Sequence, residues 1–363
     1  MNTHAEKTPL IRLAKRDNMP KQKIWMIRAA AFVVAILLGM LIFAIAGANP
    51  LTAYGTIIKG SLGKKSGLRQ VAKVAVPLLG TALALAPCFK MKYWNIGAEG
   101  QITMGAMAAS YFALYWYDKL PSAVLLIVMA IASALFGAIW SAIPAIFKAR
   151  WGTNETLFTL MMNYIAIGIV GWLQGGPWEG KPGSQIIPLF DSRAVLPKVF
   201  GVHIGWIVVL LMVGFMYVYM KKTKHGYEVA VIGESENTAR YAGMDVVKIT
   251  VRTAVLSGAI CGLVGFMQAS GVNMTLYADV AGGVGFTAIT VAWLSQLNPF
   301  IMIAISALLA ILSKGSGALQ TKMAVPASIS DIITGIVLFA LLACEFFINY
   351  RVVFRKKNTE VNV

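Results

Sequence analysis

The chain has 363 residues, 58% of them hydrophobic and only 13% charged, against roughly 25% charged in ordinary soluble domains. With a mean hydropathy of +0.71, that balance excludes a soluble globular protein and makes lipid the solvent for most of the surface. The formal net charge of +17 is therefore weighed against membrane orientation before nucleic acid is considered.

Read against the ~20 residues needed to cross a bilayer, the apolar runs give an all-α, polytopic chain of about ten spans. In chain order they are Ile24–Ala46, Val74–Phe89, Ile96–Tyr117, Ala123–Phe147, Leu157–Leu173, Ile204–Met220, Ile249–Gly271, Gly285–Leu297, Phe300–Leu312 and Ile329–Ile348. The eighth and ninth, at 13 residues each, read as two short or broken helices; interrupted spans mark transport paths in many carriers. A single helix kinked at Pro299, or a re-entrant pair over 285–312, is the alternative. Charge favours ten crossings with both termini cytoplasmic. Assigned to the nearer side, 21 of the 32 Lys and Arg fall inside and 11 outside, the sign that the positive-inside rule requires.

This topology divides the chain into a cytoplasmic segment 1–23, a transmembrane domain 24–348 and a cytoplasmic tail 349–363. The first span resembles a signal peptide in its basic flank and Ala44-Ile45-Ala46, but its apolar run exceeds the usual ~7–15 residues, so a retained helix is expected. Residues 49–73 read as an interfacial arm. The outer loop 175–202, with Pro177, Pro182, Pro188 and Pro197, reads as a docking or gating loop.

Two polar features stand out. The first is Asn95-Ile-Gly97-Ala-Glu99-Gly100-Gln101 at the start of the third span. A carboxylate at membrane depth costs about 2.5–3.5 kcal/mol on insertion scales, so Glu99 either accepts hydrogen bonds from amides freed by neighbouring glycines or lines a path. Asn95, Gln101, Asn163, Tyr164, Gly283, Gly285 and Phe286 join it as candidate path residues. Asn163 has a cross-helix hydrogen bond as its structural alternative, and Asn154–Thr156 are expected to cap the fifth span.

The second feature is a polar island, 221–248, between two spans. Glu234, Ser235 and Glu236 offer an N-cap and negative charge to a short helix from about Asn237 to Ala242. Arg240 falls in its last turn, beside Tyr241, and Gly243 can close it left-handed. Ala239, Ala242 and Gly243 would leave one side bare of side chain, which suits docking onto another protein; an ordinary cytoplasmic loop is the plain alternative.

Catalytic and cofactor signatures are missing. Gly60–Ser66 departs from a nucleotide-binding P-loop, and Gly283–Ala288 matches a dinucleotide fingerprint without the preceding strand or the following acid. Cys88, Cys261 and Cys344 lie in apolar runs and read as small buried hydrophobes, and the three histidines are scattered, so no metal or other cofactor is expected.

Together, NIGAEGQ at 95–101 and GESENTARYAG at 233–243 resemble the permease subunits of bacterial ABC importers in the branched-chain amino acid, ribose and nucleoside permease superfamily. TLMMNY at 159–164, GGVGF at 282–286 and Asn298-Pro299 extend the match, in order, over about residues 70–345. The AEGQ form and the long N-terminal arm look most like the larger nucleoside-type permease. One departure is VAWLSQLN at 291–298, where relatives more commonly carry a glycine-containing stretch.

The resemblance implies a non-enzymatic permease, multi-pass in the bacterial plasma membrane, that moves a nucleoside or, alternatively, a ribose-type sugar. It implies a cytoplasmic ATPase docked on the helix formed by Glu234–Gly243. It also implies a second permease, identical or a sister chain, and an extracytoplasmic solute-binding protein, with no nucleic acid partner. An ion-coupled secondary transporter is the rival class, although the spans are poor in acids apart from Glu99 and Glu345.

Overall fold

The computed structural model describes residues 11–15, 20–323 and 325–354. The expected ends at His4 and at Arg355, Lys356 and Lys357 lie outside the described residues. In chain order the elements are β1 (Ile11–Lys15), α1 (Lys21–Ile45), α2 (Pro50–Leu62), α3 (Lys65–Lys90), α4 (Ala98–Tyr115), α5 (Ser122–Trp151), α6 (Glu155–Gln174), β2 (Lys198–Val199), β3 (Val202–His203), α7 (Gly205–Lys222), α8 (Lys224–Glu234), α9 (Glu236–Tyr241), α10 (Val246–Phe266), α11 (Val284–Leu294), α12 (Pro299–Met323), α13 (Ala327–Asn349) and β4 (Tyr350–Phe354). Seven helices among the described residues are long and apolar enough to cross a membrane. The remaining expected spans correspond to α4, α11 and α13. The polar start of α4, with Glu99 and Gln101, dilutes its apolar character.

Residues 1–57 with 315–363 form one compact unit, and residues 58–314 the other. In the first, β1 pairs antiparallel with β4 and α1 packs on α13. The start of α1 and the end of α13 therefore lie at the same end of that unit. Tyr54 fills the space left by Gly39, donating its hydroxyl to the Ile36 carbonyl at 3.1 Å.

The second unit is built around α10, which packs against α4 and α5. Lipid gives apolar side chains no reason to leave it, so helices in a membrane gain most from close backbone approach and interhelical hydrogen bonds. The sequence supplies both. A Cβ at Gly262 would run into the Ser133 carbonyl, at Gly258 into that of Gly137, and at Gly265 into that of Ile102. Ser133 Oγ donates to the Gly105 carbonyl and Ser141 Oγ to the Ala254 carbonyl, each at 2.8 Å.

One expectation is corrected. Only one of the two short spans is short. Helix α12 runs 25 residues, because Ser313–Gly317 continue the helix, with Gly315 giving room to Ile57. Helix α11 has 11 residues and rises about 16 Å, roughly half the ~30 Å hydrocarbon thickness. Its start is set by left-handed Gly282 and Gly283, and its end by Gln296 and Leu297 at φ of 51° and 58°. The arm at 49–73 is helical, as α2 and the first turns of α3. Pro77 and Pro87 lie inside α3 without ending it.

After Phe266, α10 continues as a wider-turn π segment, Met267–Asn273. The loop at 175–202 fastens onto the end of this segment: the Phe190 amide donates to the Met274 carbonyl and the Leu196 amide to that of Ser270. His203, fully buried with neither ring nitrogen hydrogen-bonded, wedges between Gly205 and Gly271. Burial first, and Lys73 second, pull its pKa down to about 4, so the ring is neutral at physiological pH.

The backbone contact at α10 predicts a sharp position dependence. Gly262→Val should cost about 1–3 kcal/mol through forced helix separation, read as a lowered unfolding midpoint in detergent. Gly168→Val, which meets nothing within 4 Å, should leave the midpoint near wild type.

Candidate functional site

The island folds as two helices. Its first part is α8, started by Thr223, whose Oγ1 accepts from the Gly226 amide at 3.1 Å. Glycines hide this helix in the sequence, yet both are required by close approach: a Cβ at Gly226 would strike the Tyr219 carbonyl, and one at Gly233 the Lys90 carbonyl. Glu228 ties α8 to α10 through Arg252 at 2.8 Å. That guanidinium is the main reason its carboxyl lies below the usual range, partly opposed by burial.

Ser235 ends α8 and starts α9. It is extended, and its Oγ accepts from the Thr238 amide at 3.2 Å. At the other end the Gly243 amide donates to the Arg240 carbonyl and the Met244 amide to that of Ala239, both at 3.0 Å. Gly243 sits at φ +74°; this is the paired closure that a left-handed glycine permits. The helix expected over Asn237–Ala242 thus runs Glu236–Tyr241, capped as its residues suggest.

The bare face is corrected. Ala239 is 0% exposed and belongs to a buried cluster with Cys88, Met91, Tyr93, Val229, Ile232 and Ile249. It is small because α9 sits on its own protein there. The outward face carries Glu234, Glu236, Asn237, Arg240, Tyr241, Ala242 and Gly243, with Tyr241 94% exposed and Arg240 paired to Glu236 at 2.7 Å.

The second group of predicted residues forms a latch inside the second unit. Glu99, 3% exposed, accepts from the Gly283 amide on one oxygen and the Gly285 amide on the other, each at 2.7 Å. It lies in the first turn of α4 and meets the first turn of α11, so two helix N-termini converge on one negative charge, where dipoles favour it. Gly285 admits this approach, since a Cβ there would collide with the Glu99 backbone.

Around it, Asn163 Oδ1 accepts from the Gly100 amide at 2.8 Å, and Asn163 Nδ2 donates to the Ile96 carbonyl at 2.9 Å. Asn95 Oδ1 accepts from Gln101 Nε2 at 3.1 Å and from the Gly97 amide at 3.0 Å, while its Nδ2 donates to Ser257 Oγ at 3.3 Å. Asn154 caps α6 through the Leu157 amide at 3.1 Å.

Asn95, Glu99, Gln101, Asn163, Gly283 and Gly285 are therefore brought together. Tyr164 and Phe286 are not: they are 63% and 43% exposed and sit on outward faces of their helices. Asn95, Glu99, Gln101 and Asn163 line neither of the two large cavities described; Glu99 and Asn163 are bonded to backbone groups of neighbouring segments, and Asn95 to Gln101, Gly97 and Ser257.

One cavity, of about 530 Å³, lies beside α9 and is lined by Lys92, Tyr93, Lys148, Glu155, Gly233 and Arg240 among others. The other, of about 480 Å³, involves Lys73 of α3, Gln268 of the π segment and Lys314 of α12. Sequence reasoning missed those three; each is a lone polar residue in a separate element, and nothing in local spacing links them.

The family model for the permease component of the branched-chain amino acid transport system matches residues 67–342, most of the chain and all of the geometry just described. The chain belongs to that family. Three relatives align along nearly their whole length. The glucose ABC transporter permease protein TsgB13 of Haloferax volcanii is 31% identical over 94% of this chain and 93% of its own. The guanosine ABC transporter permease protein NupP of Bacillus subtilis is 29% identical over 85% and 90%. The nucleoside ABC transporter permease protein NupB of Lactococcus lactis is 26% identical over 88% and 90%. As a member of the family, the chain is an ABC transporter permease subunit and a multi-pass membrane protein.

In this permease the latch predicts a graded stability series. Glu99→Ala leaves two amides without their acceptor and should cost on the order of 3 kcal/mol, whereas Glu99→Gln keeps one good acceptor and should cost roughly half. Unfolding midpoints of the purified protein ordered wild type, Gln, Ala are expected; an alanine variant as stable as wild type would remove the latch.

Proposed function

We propose that this permease forms the translocation path of an ATP-driven importer, that a cytoplasmic ATPase docks on the outward face of α9, and that the cargo is a nucleoside. The single observation that carries the docking reading is the construction of α9. Six residues are capped at both ends and seated through buried Ala239, yet present Tyr241 almost fully to solvent. An exposed aromatic on a rigid turn is costly in water and useful as an anchor in a partner's cleft.

On this reading α9 and both termini face the cytoplasm. A second permease, identical or a sister chain, completes the path, and a solute-binding protein delivers cargo from outside. ATP is hydrolysed in the partner. Two of the relatives named above are guanosine and nucleoside permeases, which supports a nucleoside. The glucose permease relative, at 31% identity, supports sugar as the second reading. An ion-coupled carrier is disfavoured by Glu99, whose two carboxylate oxygens are both held by backbone amides.

The cargo is tested by uptake of labelled adenosine, cytidine, ribose and glucose into cells carrying the complete importer. Nucleoside accumulation is expected, and accumulation of branched-chain amino acids alone would overturn the proposal. For docking, Tyr241→Ala should lower ATPase recovered with the permease about ten-fold or more, as loss of a central aromatic anchor does, while the unfolding midpoint stays at the wild-type value. Ala239→Trp should instead destabilise the loop itself. Full ATPase recovery with Tyr241→Ala would contradict the docking face.

A further inference from the structure

The residues that share the cavity of about 480 Å³ are far apart in sequence: Gln70 and Lys73 on α3, Gln268 and Asn273 on the π segment, Tyr277 on the following loop, and Lys314 on α12. All fall on stretches that the sequence reading places toward the outside. The cavity reaches Gly282 and Val284, at the start of the half-length helix α11, whose first amides are already occupied by Glu99. The dipole there is thus answered by a protein charge, and any solute above it must be held by the walls.

Those walls have a definite chemistry. Two ammonium groups, Lys73 and Lys314, face the cavity without a carboxylate among its lining residues, and neither forms an ion pair among the described residues. Gln268 is 8% exposed, and its Oε1 is buried with no hydrogen-bond donor; an acceptor in that state lacks about 1–3 kcal/mol of satisfaction. The volume lies within the ~300–1,000 Å³ of small-molecule sites.

We infer that this cavity is the station where solute leaves the binding protein and enters the permease. Lys73 and Lys314 donate to carbonyl, ring-nitrogen or hydroxyl acceptors of a nucleoside or sugar, and Gln268 Oε1 accepts from one of its hydroxyl or N–H groups. The inference rests on the importer reading and moves the path from the Asn95–Glu99–Asn163 latch to these walls. The positive lining admits neutral, acceptor-rich solutes and repels cationic ones.

The test uses the complete importer in proteoliposomes, with uptake normalised to permease recovered with its ATPase, and a panel of labelled adenosine, cytidine, ribose, glucose and leucine. Variants are assayed on whichever of these the wild type accumulates. Lys73→Met and Lys314→Met should each slow uptake about ten-fold or more, the loss expected of a hydrogen bond to a charged group. Gln268→Leu should raise the half-saturating concentration. Lys73→Arg and Lys314→Arg, which keep the charge, should retain most transport, and Lys119→Met, a lysine outside the cavity, should match wild type. Wild-type rates in both methionine variants and in Gln268→Leu would overturn the cavity assignment while leaving the importer reading intact. A wild type that accumulates leucine alone would overturn the nucleoside and sugar reading, with the variants still deciding the cavity. Accumulation of nothing in the panel would overturn both.

Discussion

A carboxylate buried among membrane-spanning helices must be answered by protein groups, and the way Glu99 is answered organises the functional half of this molecule. Water is not there to solvate it, so its two oxygens take the free amides at the start of α11. Those amides are themselves orphans of a helix that begins within the protein. One interaction removes two penalties. It also fixes where α11 starts, and with it the floor of the cavity bounded by Lys73, Gln268 and Lys314. The surrounding side-chain amides of Asn95, Gln101 and Asn163 hold the α4 entry in register.

The same unit is drawn together by absent side chains. Glycines at 258, 262 and 265 let the α10 backbone touch α4 and α5, and serine hydroxyls staple the contacts to carbonyl oxygens. Rigid packing of α10 matters because it connects the two ends of the unit. Its first turns lie beside α8 and α9, and its π segment supplies Gln268 to the cavity at the other end. A push on α9 by a partner would reach that cavity through one continuous helical element.

Much of this was legible in the chain. Apolar runs located the long helices, since lipid demands length and uniform apolarity, and Ser235 and Gly243 bounded α9 through their backbone chemistry. Glu99 was conspicuous because a charge in an apolar run requires a reason. Other features were not legible, for physical causes. Helix α8 was obscured by Gly226 and Gly233, which lower helix propensity yet serve contact with neighbouring carbonyls. The length of α12 was obscured by the small and polar residues at 313–317, which end the apolar run but not the helix. Ala239 misled because the smallness that fits a partner's cleft equally fits a protein's own interior. The cavity could not be read, since it assembles from residues some 240 positions apart.

The central claim is that this chain converts ATP hydrolysis in a partner into solute movement through the unit of residues 58–314. The most direct measurement is ATP turnover in liposomes, compared between the isolated permease and the permease assembled with its ATPase, second permease and solute-loaded binding protein. The account predicts no turnover by the isolated chain, and turnover in the complex that rises when the binding protein is loaded. Sustained hydrolysis by the isolated chain, or turnover in the complex that ignores the loaded binding protein, would contradict it.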